Sequence, residues 1–461
     1  MHLSERLKKG TNQGGTQDMT KGSPVRLLLI FTVPMLLGNI FQQIYNLADS
    51  IIVGKFVGSN ELGGIGCIGS IHYLIFSIGF GMASGVGVLV SMLFGAGEKE
   101  KLGRAIYNSF YVLIGAAIVI TLVGGFGTEF VLSLMDTPDA VFPYAITYLR
   151  ITAFGSIATL LYNGLFSIMR AFGDSKMPLL IMIFSCLCNV ALDFVMVLGL
   201  HMGVAGVALA TVAAQFLAAL VSFGYAFRHI PWFRFRPGIG KPDRDLIAKT
   251  LRFGLPIAGQ NALIAVSCIV LQVVVNGFGE LIVTANTAVT KIEQLVQQPF
   301  NSLSSAMTAF TGQNMGAKKH DRVRQGFRAG CLFIAVTSGI MLFVMQFFGR
   351  QILGWFVSES EIIEVGAKAL QITSCFYVFL GLIYVVRGTL NGAGDTVYSA
   401  LNGIVELCCR IGLAYPLTKI PAIGMWGCFL CSGITWTITG LLSLWRYLSG
   451  SWQKSGLKKS G

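Results

Sequence analysis

VRLLLIFTVPMLLGNIFQQIYNLADSIIVGKF, residues 25–56, decides how this chain is read. It is long and apolar enough to cross a bilayer, which takes roughly 20 apolar residues at about 1.5 Å of rise each. Yet Pro34 stands a third of the way along it and Asp49 near its far end. A proline removes a backbone donor and bends a helix. A lone carboxylate at membrane depth is costly unless it is paired, hydrated or neutralised, and so marks function. The expectation is a bent, acidic membrane helix around which the rest of the chain is organised.

Eleven further apolar runs follow, at 61–94, 102–134, 140–170, 176–200, 203–228, 247–276, 280–314, 323–357, 362–391, 397–418 and 424–449. The chain of 461 residues is 54% hydrophobic and 12% charged, with a mean hydropathy of +0.70. That excludes a disordered chain and argues against a soluble one. Its net charge of +13 sits in short loops beside apolar runs, the pattern that encodes membrane topology, so lipid headgroups rather than nucleic acid are the expected partners. Lys99, Lys101 and Arg104 follow the second run, Arg170 and Lys176 the fourth, and Lys318, Lys319, Arg322, Arg324 and Arg328 the eighth. The link HIPWFRFRPGIGKPDRD and both ends of the chain are also basic, whereas the alternate loops are nearly bare. The expected protein is multi-pass in the cell (inner or plasma) membrane with both termini cytoplasmic. Its parts would be a flexible tail at 1–22, a six-helix lobe at 23–228, a link at 229–246, a second lobe at 247–450 and a tail at 451–461. The ten cysteines, Cys67 and the Cys428-x-x-Cys431 pair among them, lie in or beside apolar runs and read as packing.

The halves repeat. Ala171-Phe-Gly173-Asp174 recurs as Gly392-Ala-Gly394-Asp395, Gly203-Val-Ala-Gly206 as Gly424-Met-Trp-Gly427, and Gly95-Ala96 as Gly316-Ala317, each 221 residues on. Pro34 recurs as Pro256 with a slip of one residue. Six crossings per unit, an even number, give a parallel repeat about an axis along the membrane normal. The fold class is therefore an all-α membrane protein of twelve helices in two pseudo-symmetric six-helix bundles. Two such bundles leave a cleft between them, and rocking them gives alternating access.

The sequence lacks a GxxxxGK[ST] phosphate loop and any polar stretch long enough for a nucleotide domain, and no catalytic triad or zinc-ligand spacing stands out. It reads as a secondary transporter, not an enzyme, with no cofactor beyond a coupling ion, Na+ or H+. The ionisable residues at membrane depth would handle that ion. Asp193 follows Asn189 by four residues, which puts both on one helix face. Carboxylate and amide oxygens suit a small hard cation, and a buried carboxylate also serves as a proton carrier. The bland alternative for Asp193 is a structural carboxylate that satisfies a neighbouring helix. The second half does not repeat the pair: 221 residues on stand Arg410 and Ala414, and Glu406 and Arg410, four apart, read as a structural ion pair. Lys291 and Glu293 also fall in an apolar run, and His72 reads as a buried neutral histidine.

Several of these stretches together resemble the multidrug and toxic compound extrusion (MATE) family. They are the bent first helix with Pro34 and the NLADSIIVG ending, Arg170-Ala-Phe-Gly-Asp174, its counterpart RGTLNGAGDT at 387–396, and the twofold six-helix repeat, over roughly residues 24–450. The resemblance implies a monomer that exports cationic, amphipathic small molecules in exchange for Na+ or H+ through a V-shaped cleft. The likeness is strongest to the branch with its cation site in the N-terminal lobe. On that likeness Asp49, Asn189, Asp193 and Thr211 match cation-binding positions, with Tyr148 close by. Pro34 matches the proline at which the first helix bends. Gln42, Tyr45, Asn163 and Met182 match positions lining the cleft, while Glu293, Glu406 and Arg410 remain secondary candidates in the other lobe. The rival is a lipid-linked oligosaccharide flippase of the same superfamily. It needs a basic central cavity, whereas the membrane-depth charges of the first half are acidic. A membrane-embedded lipid-modifying enzyme would want clustered acids at one membrane face. Asp174 and Asp395 are too symmetric for that.

Overall fold

Pro24–Ile52, the element that holds both Pro34 and Asp49, is a single helix, α1, that continues as a π turn over Val53–Val57. This computed structural model describes residues 16–58, 61, 68–134, 140–234 and 238–456. Cys67, most of the first tail and the end of the last one fall outside the described residues. After α1 come α2 (Gly69–Ala96), α3 (Lys99–Phe126), α4 (Thr128–Leu134), α5 (Phe142–Phe154), α6 (Ser156–Ala171), α7 (Lys176–Asp193) and α8 (Gly203–His229). The second half holds α9 (Arg244–Asn276), α10 (Glu280–Val296), α11 (Gln298–Gly316), α12 (His320–Leu353), α13 (Ser360–Ser374), α14 (Tyr377–Gly392), α15 (Thr396–Lys419) and α16 (Gly427–Leu448).

Nine of these helices are long and apolar enough to cross a membrane, and two bent pairs raise the number to eleven. The pairs are α5 with α6, bent by 54°, and α13 with α14, bent by 53°. They replace the single segments expected at 140–170 and 362–391. The twelfth crossing of the fold, α10 with α11, falls outside that test. Local chemistry sets the ends. Gly97 closes α2 at φ +72 with its N–H on the Leu93 and Phe94 carbonyls, and the Asp243 carboxylate caps α9 by accepting from the amides of Asp245 and Leu246. Gly173 and Gly394, at φ +80 and +81, make the same left-handed turn in the two copies of the repeated loop. The acids that follow are anchors. Asp174 accepts from the Lys176 and Met177 amides and from the Tyr225 hydroxyl, and Asp395 pairs with Arg446 at 2.9 Å.

The halves meet at the end that carries the basic loops. One buried core joins α2, α3, α6, α7 and α8 with Leu246, Phe253 and Ala258 from the start of α9. The other joins α10 to α14 and α16 with Leu27, Leu28, Phe31 and Met35 from the start of α1, and Tyr398 of α15 packs against it. Each half thus lends the beginning of its first helix to its partner. Between them a Cβ at Gly95 would overlap the Gln313 carbonyl, and one at Gly316 would overlap the Met92 carbonyl. Met92 and Gln313 are 221 residues apart, as are Gly95 and Gly316, so the contact is reciprocal about the twofold. Only glycine permits this backbone approach. At the opposite end each first helix stays with its own half. Ile52 and Val53 pack on Val197 and Val207, and Val275 packs on Ile282 and Cys428. The bundles therefore part into a V away from the sealed end.

Residues 16–22, expected as part of a flexible tail, are packed across that seal. The Met19 side chain is fully buried in the second core, a gain of about 1.5–3 kcal/mol for a side chain of its size. The Met19 amide donates to Gln313 Oε1 at 2.8 Å, the Gln17 amide donates to the Phe172 carbonyl, and Arg322 donates to the carbonyls of Met19 and Gly22. Burial pushes the Asp18 carboxyl up, but hydrogen bonds from Thr20 and the charge of Lys21 prevail and hold it below the usual range. The start of the last tail is packed as well, with Trp452 stacked on Tyr447 and donating to its carbonyl.

Candidate ion-coupling site and central cavity

Three helices and one bent segment of the first half assemble the polar site. Gln42, Tyr45 and Asp49 follow one another at helical spacing on α1, as do Met182, Ser185, Cys186, Asn189 and Asp193 on α7. The opposite face of α1, with Leu29, Val33, Leu37, Ile44 and Leu47, is exposed as a lipid-facing surface would be. With the Asn189 amide oriented by its hydrogen-bond network, its nitrogen donates to Asp193 Oδ2 and to Asp49 Oδ1, each at 3.0 Å, and its oxygen accepts from the Thr211 amide at 3.2 Å. One amide therefore bridges two carboxylates, and those two oxygens lie within 3.0 + 3.0 = 6.0 Å of each other. Tyr45 lies within hydrogen-bonding reach of Asp49 and 3.3 Å from the Thr211 hydroxyl. Tyr148 from α5 stands over the same Thr211 and faces both acids. His72 stacks on Phe76 at 4.3 Å and meets Tyr148 edge-on at 6.3 Å.

Asp193 is fully buried, Asn189 is 2% exposed, and among the described residues Asp193 Oδ1 lacks a hydrogen-bond partner. Two ionised carboxylates within 6 Å repel by about 3 kcal/mol or more at an effective dielectric near 20. The orphaned oxygen and this repulsion call for one positive charge, whether a proton or a small cation. The set of two carboxylates, a hydroxyl and an amide fits either ion. In the arrangement seen here, however, the Asn189 oxygen is committed to the Thr211 backbone, so a metal would take its oxygens from the carboxylates and Thr211 unless that amide turned.

A narrow pocket of about 320 Å³ reaches the site, lined by Gln42, Tyr45, Tyr162, Met182, Gln215 and Thr211 among others. Five expected cleft or site residues, Gln42, Tyr45, Met182, Asn189 and Thr211, are thus brought together. Asn163 is not among its walls; its amide donates within α6 to the Thr159 carbonyl. In the second half Arg410 meets Glu406 at 3.4 Å, each with 8% of its side chain exposed. Glu293, on α10, feels the charge of Arg410 and has Thr373 in reach, with one buried oxygen unpartnered among the described residues, and Lys291 is exposed. Among the described residues, no group of three or more His, Cys, Asp or Glu forms a metal cluster, and Cys428 and Cys431 are free and buried.

A second, larger cavity of about 830 Å³, counting its open mouth, lies at the apex of the V, one helical turn above the seal. α2, α6, α9, α11 and α14 build its walls, so both halves contribute. Arg170 and Arg387 line it. The sequence reading put Arg170 in a loop; it stands inside the last turn of α6. Arg387 opens the RGTLNGAGDT stretch quoted for its glycines, and its place in that repeated motif was the available signal.

The MatE family model matches this chain twice, over residues 34–195 and 256–416. The chain belongs to the MatE family. The two matched stretches begin 222 residues apart, in step with the internal repeat. Among its relatives is the probable multidrug resistance protein YoeA of Bacillus subtilis, 27% identical over 96% of this chain and 97% of that one. Its fold is also that of an outward-facing multidrug resistance MATE transporter of the MOP superfamily, with a TM-score of 0.89 over 97% of this chain, all of the other and 22% identity. A MOP superfamily transporter from Pyrococcus furiosus, described as having a binding pocket of reversed polarity that suggests a different function, matches at the same 0.89, with 21% identity over 97% of this chain and all of that one.

Proposed function

We propose that this MatE protein is a secondary antiporter that exports amphipathic small molecules, drug-like cations among them, in exchange for Na+ or H+. The observation that carries the reading is the single Asn189 amide shared by Asp49 and Asp193 beside an unpartnered carboxylate oxygen. Such a pair holds one cation or proton with gain and two charges of its own with loss. A cationic cargo entering the narrow pocket along Gln42, Tyr45 and Met182 meets the same negative charge and competes with the coupling ion. The names of the relatives, which are multidrug resistance proteins, support the cargo class. Pro34, within an α1 that is continuous from Pro24 to Ile52, is the place where the helix would yield when the charge state at Asp49 changes. The basic loops support a cytoplasmic sealed end and cytoplasmic termini, with the V opening outward. The protein acts as a monomer and needs no cofactor beyond the ion.

The test is ethidium efflux from energised cells lacking their own pumps, with and without sodium and with a protonophore. Efflux that needs sodium and fails in Asp49→Asn identifies sodium coupling at this site. Sodium-independent efflux abolished by the protonophore makes Asp49 and Asp193 proton carriers. Efflux that keeps its ion dependence in Asp193→Ala overturns the assignment. The flippase-like reading is favoured by one observation, the two arginines in the central cavity.

A further inference from the structure

We propose that the cavity at the apex of the V binds an oxyanion, a phosphate or phosphate ester, held between Arg170 and Arg387 and completed by Gln260. The observations are independent of the carboxylate site. None of the residues lining this cavity is Asp or Glu, and the walls otherwise offer Ser84, Ser167, Asn261, Ser304 and Thr308. Among the described residues, neither guanidinium has an ion pair or a hydrogen bond, and the Nε atoms of both are buried without partners. The remaining contacts are aromatic: Arg170 lies over Phe166 at 5.7 Å and Arg387 over Tyr384 at 5.3 Å. A ring face orients a guanidinium but leaves its N–H fork free.

Gln260, fully buried on α9, also lines the cavity, and both atoms of its amide are unpartnered. Two cations without ion pairs and a fully buried spare amide around one cavity are costly, and structures keep such groups where a ligand satisfies them. The forked guanidinium matches a phosphate in two hydrogen bonds at once. The placement along the twofold is informative as well. The counterpart of Arg170 is Asn391 (170 + 221), and that of Arg387 is Phe166 (387 − 221). The arginines thus come from equivalent helices but sit four residues, about 6 Å of helix rise, out of register. That stagger suits two donors gripping one tetrahedral anion from different heights better than two cations set face to face.

The inference rests on the export reading only for the direction of movement; binding stands alone. It is tested on purified full-length protein in nonionic detergent, with no ion gradient, by equilibrium binding of radiolabelled dodecyl phosphate below its micellar concentration. Dodecyltrimethylammonium is the oppositely charged control. The expected result is saturable binding of the phosphate, weakened roughly tenfold or more in R170Q/R387Q, and partly retained in R170K/R387K, which keeps the charge but not the fork. Where the glutamine pair fails to fold, as judged by size-exclusion profile, R387Q alone and the lysine pair give the same comparison. Displacement by millimolar inorganic phosphate identifies a soluble phosphate as the ligand. Displacement only by acylated phosphates identifies a lipid-like cargo. Equal affinity in wild type and R170Q/R387Q, or tighter binding of the ammonium amphiphile, overturns the proposal. Neither result touches the ion dependence of efflux, so the two readings fail separately.

Discussion

The two halves follow one chain path and divide the chemistry between them. In the first, Asn189 donates to both Asp49 and Asp193 and leaves a carboxylate oxygen without a partner. In the second, the position equivalent to Asn189 is Arg410 (189 + 221), which closes on Glu406 at 3.4 Å, and the position equivalent to Asp193 is Ala414 (193 + 221). The same helix face thus presents surplus negative charge in one bundle and a paired charge in the other. At that face the second half has little to gain from an ion; its Glu293, with an unpartnered oxygen, stands on α10 instead. A repeat can keep its architecture while concentrating the responsive charge in one copy.

The largest expected effect tests that division. Asp49→Asn with Asp193→Asn ends ion-coupled efflux, whereas Glu406→Gln with Arg410→Gln, which removes the other pair of charges together, leaves most of it. Equal losses at matched expression would break the comparison. Next in size is Arg410→Ala alone, which strands Glu406 in a buried setting and costs about 3–5 kcal/mol, read as a lower melting temperature in detergent. Adding Glu406→Gln restores much of that loss. A double variant no more stable than the single would show that the pair is not the source of the cost.

The seal between the halves behaves in the opposite way, because there the twofold is kept. Gly95→Ala and Gly316→Ala each drive a methyl group into a backbone carbonyl and each costs about 1–3 kcal/mol. The two losses are expected to match, since Gly95 meets Gln313 as Gly316 meets Met92. Thermal melts of the two variants that differ by more than that range would remove the reciprocity.

Much of this was legible in the sequence for physical reasons. Gly95 and Gly316 repeated because each makes a contact that tolerates no side chain. Asp49, Asn189 and Asp193 stood out because polar groups are rare at membrane depth and their spacing places them on one face. The breaks at Gly155 and Cys375 were invisible, since a bend of about 50° between two apolar helices changes neither hydropathy nor periodicity. Arg170 was misread because a basic residue near the end of an apolar run looks the same whether it snorkels outward or points inward. Residues 16–22 looked like a free tail because the groups that hold them, Gln313 and Arg322, lie about 300 residues away.

The smallest effect contrasts single side chains. The Thr211 hydroxyl donates to the Val207 carbonyl at 3.0 Å, so at 3.3 Å it can accept from the Tyr45 hydroxyl, with Tyr148 also in reach. Tyr45→Phe removes that donor at the mouth of the carboxylate site and costs roughly 1 kcal/mol, about a fivefold loss in apparent affinity for the coupling ion. With the one-residue slip that relates Pro34 to Pro256, the counterpart of Tyr45 is Ser267 (45 + 222), which is fully buried with its hydroxyl unpartnered. Ser267→Ala removes a buried polar group that makes no bond, so it leaves efflux unchanged and stability within about 0.5 kcal/mol or slightly raised. Ion titrations of efflux for the two variants decide it: a matching shift in both would mean that the second half senses the ion after all.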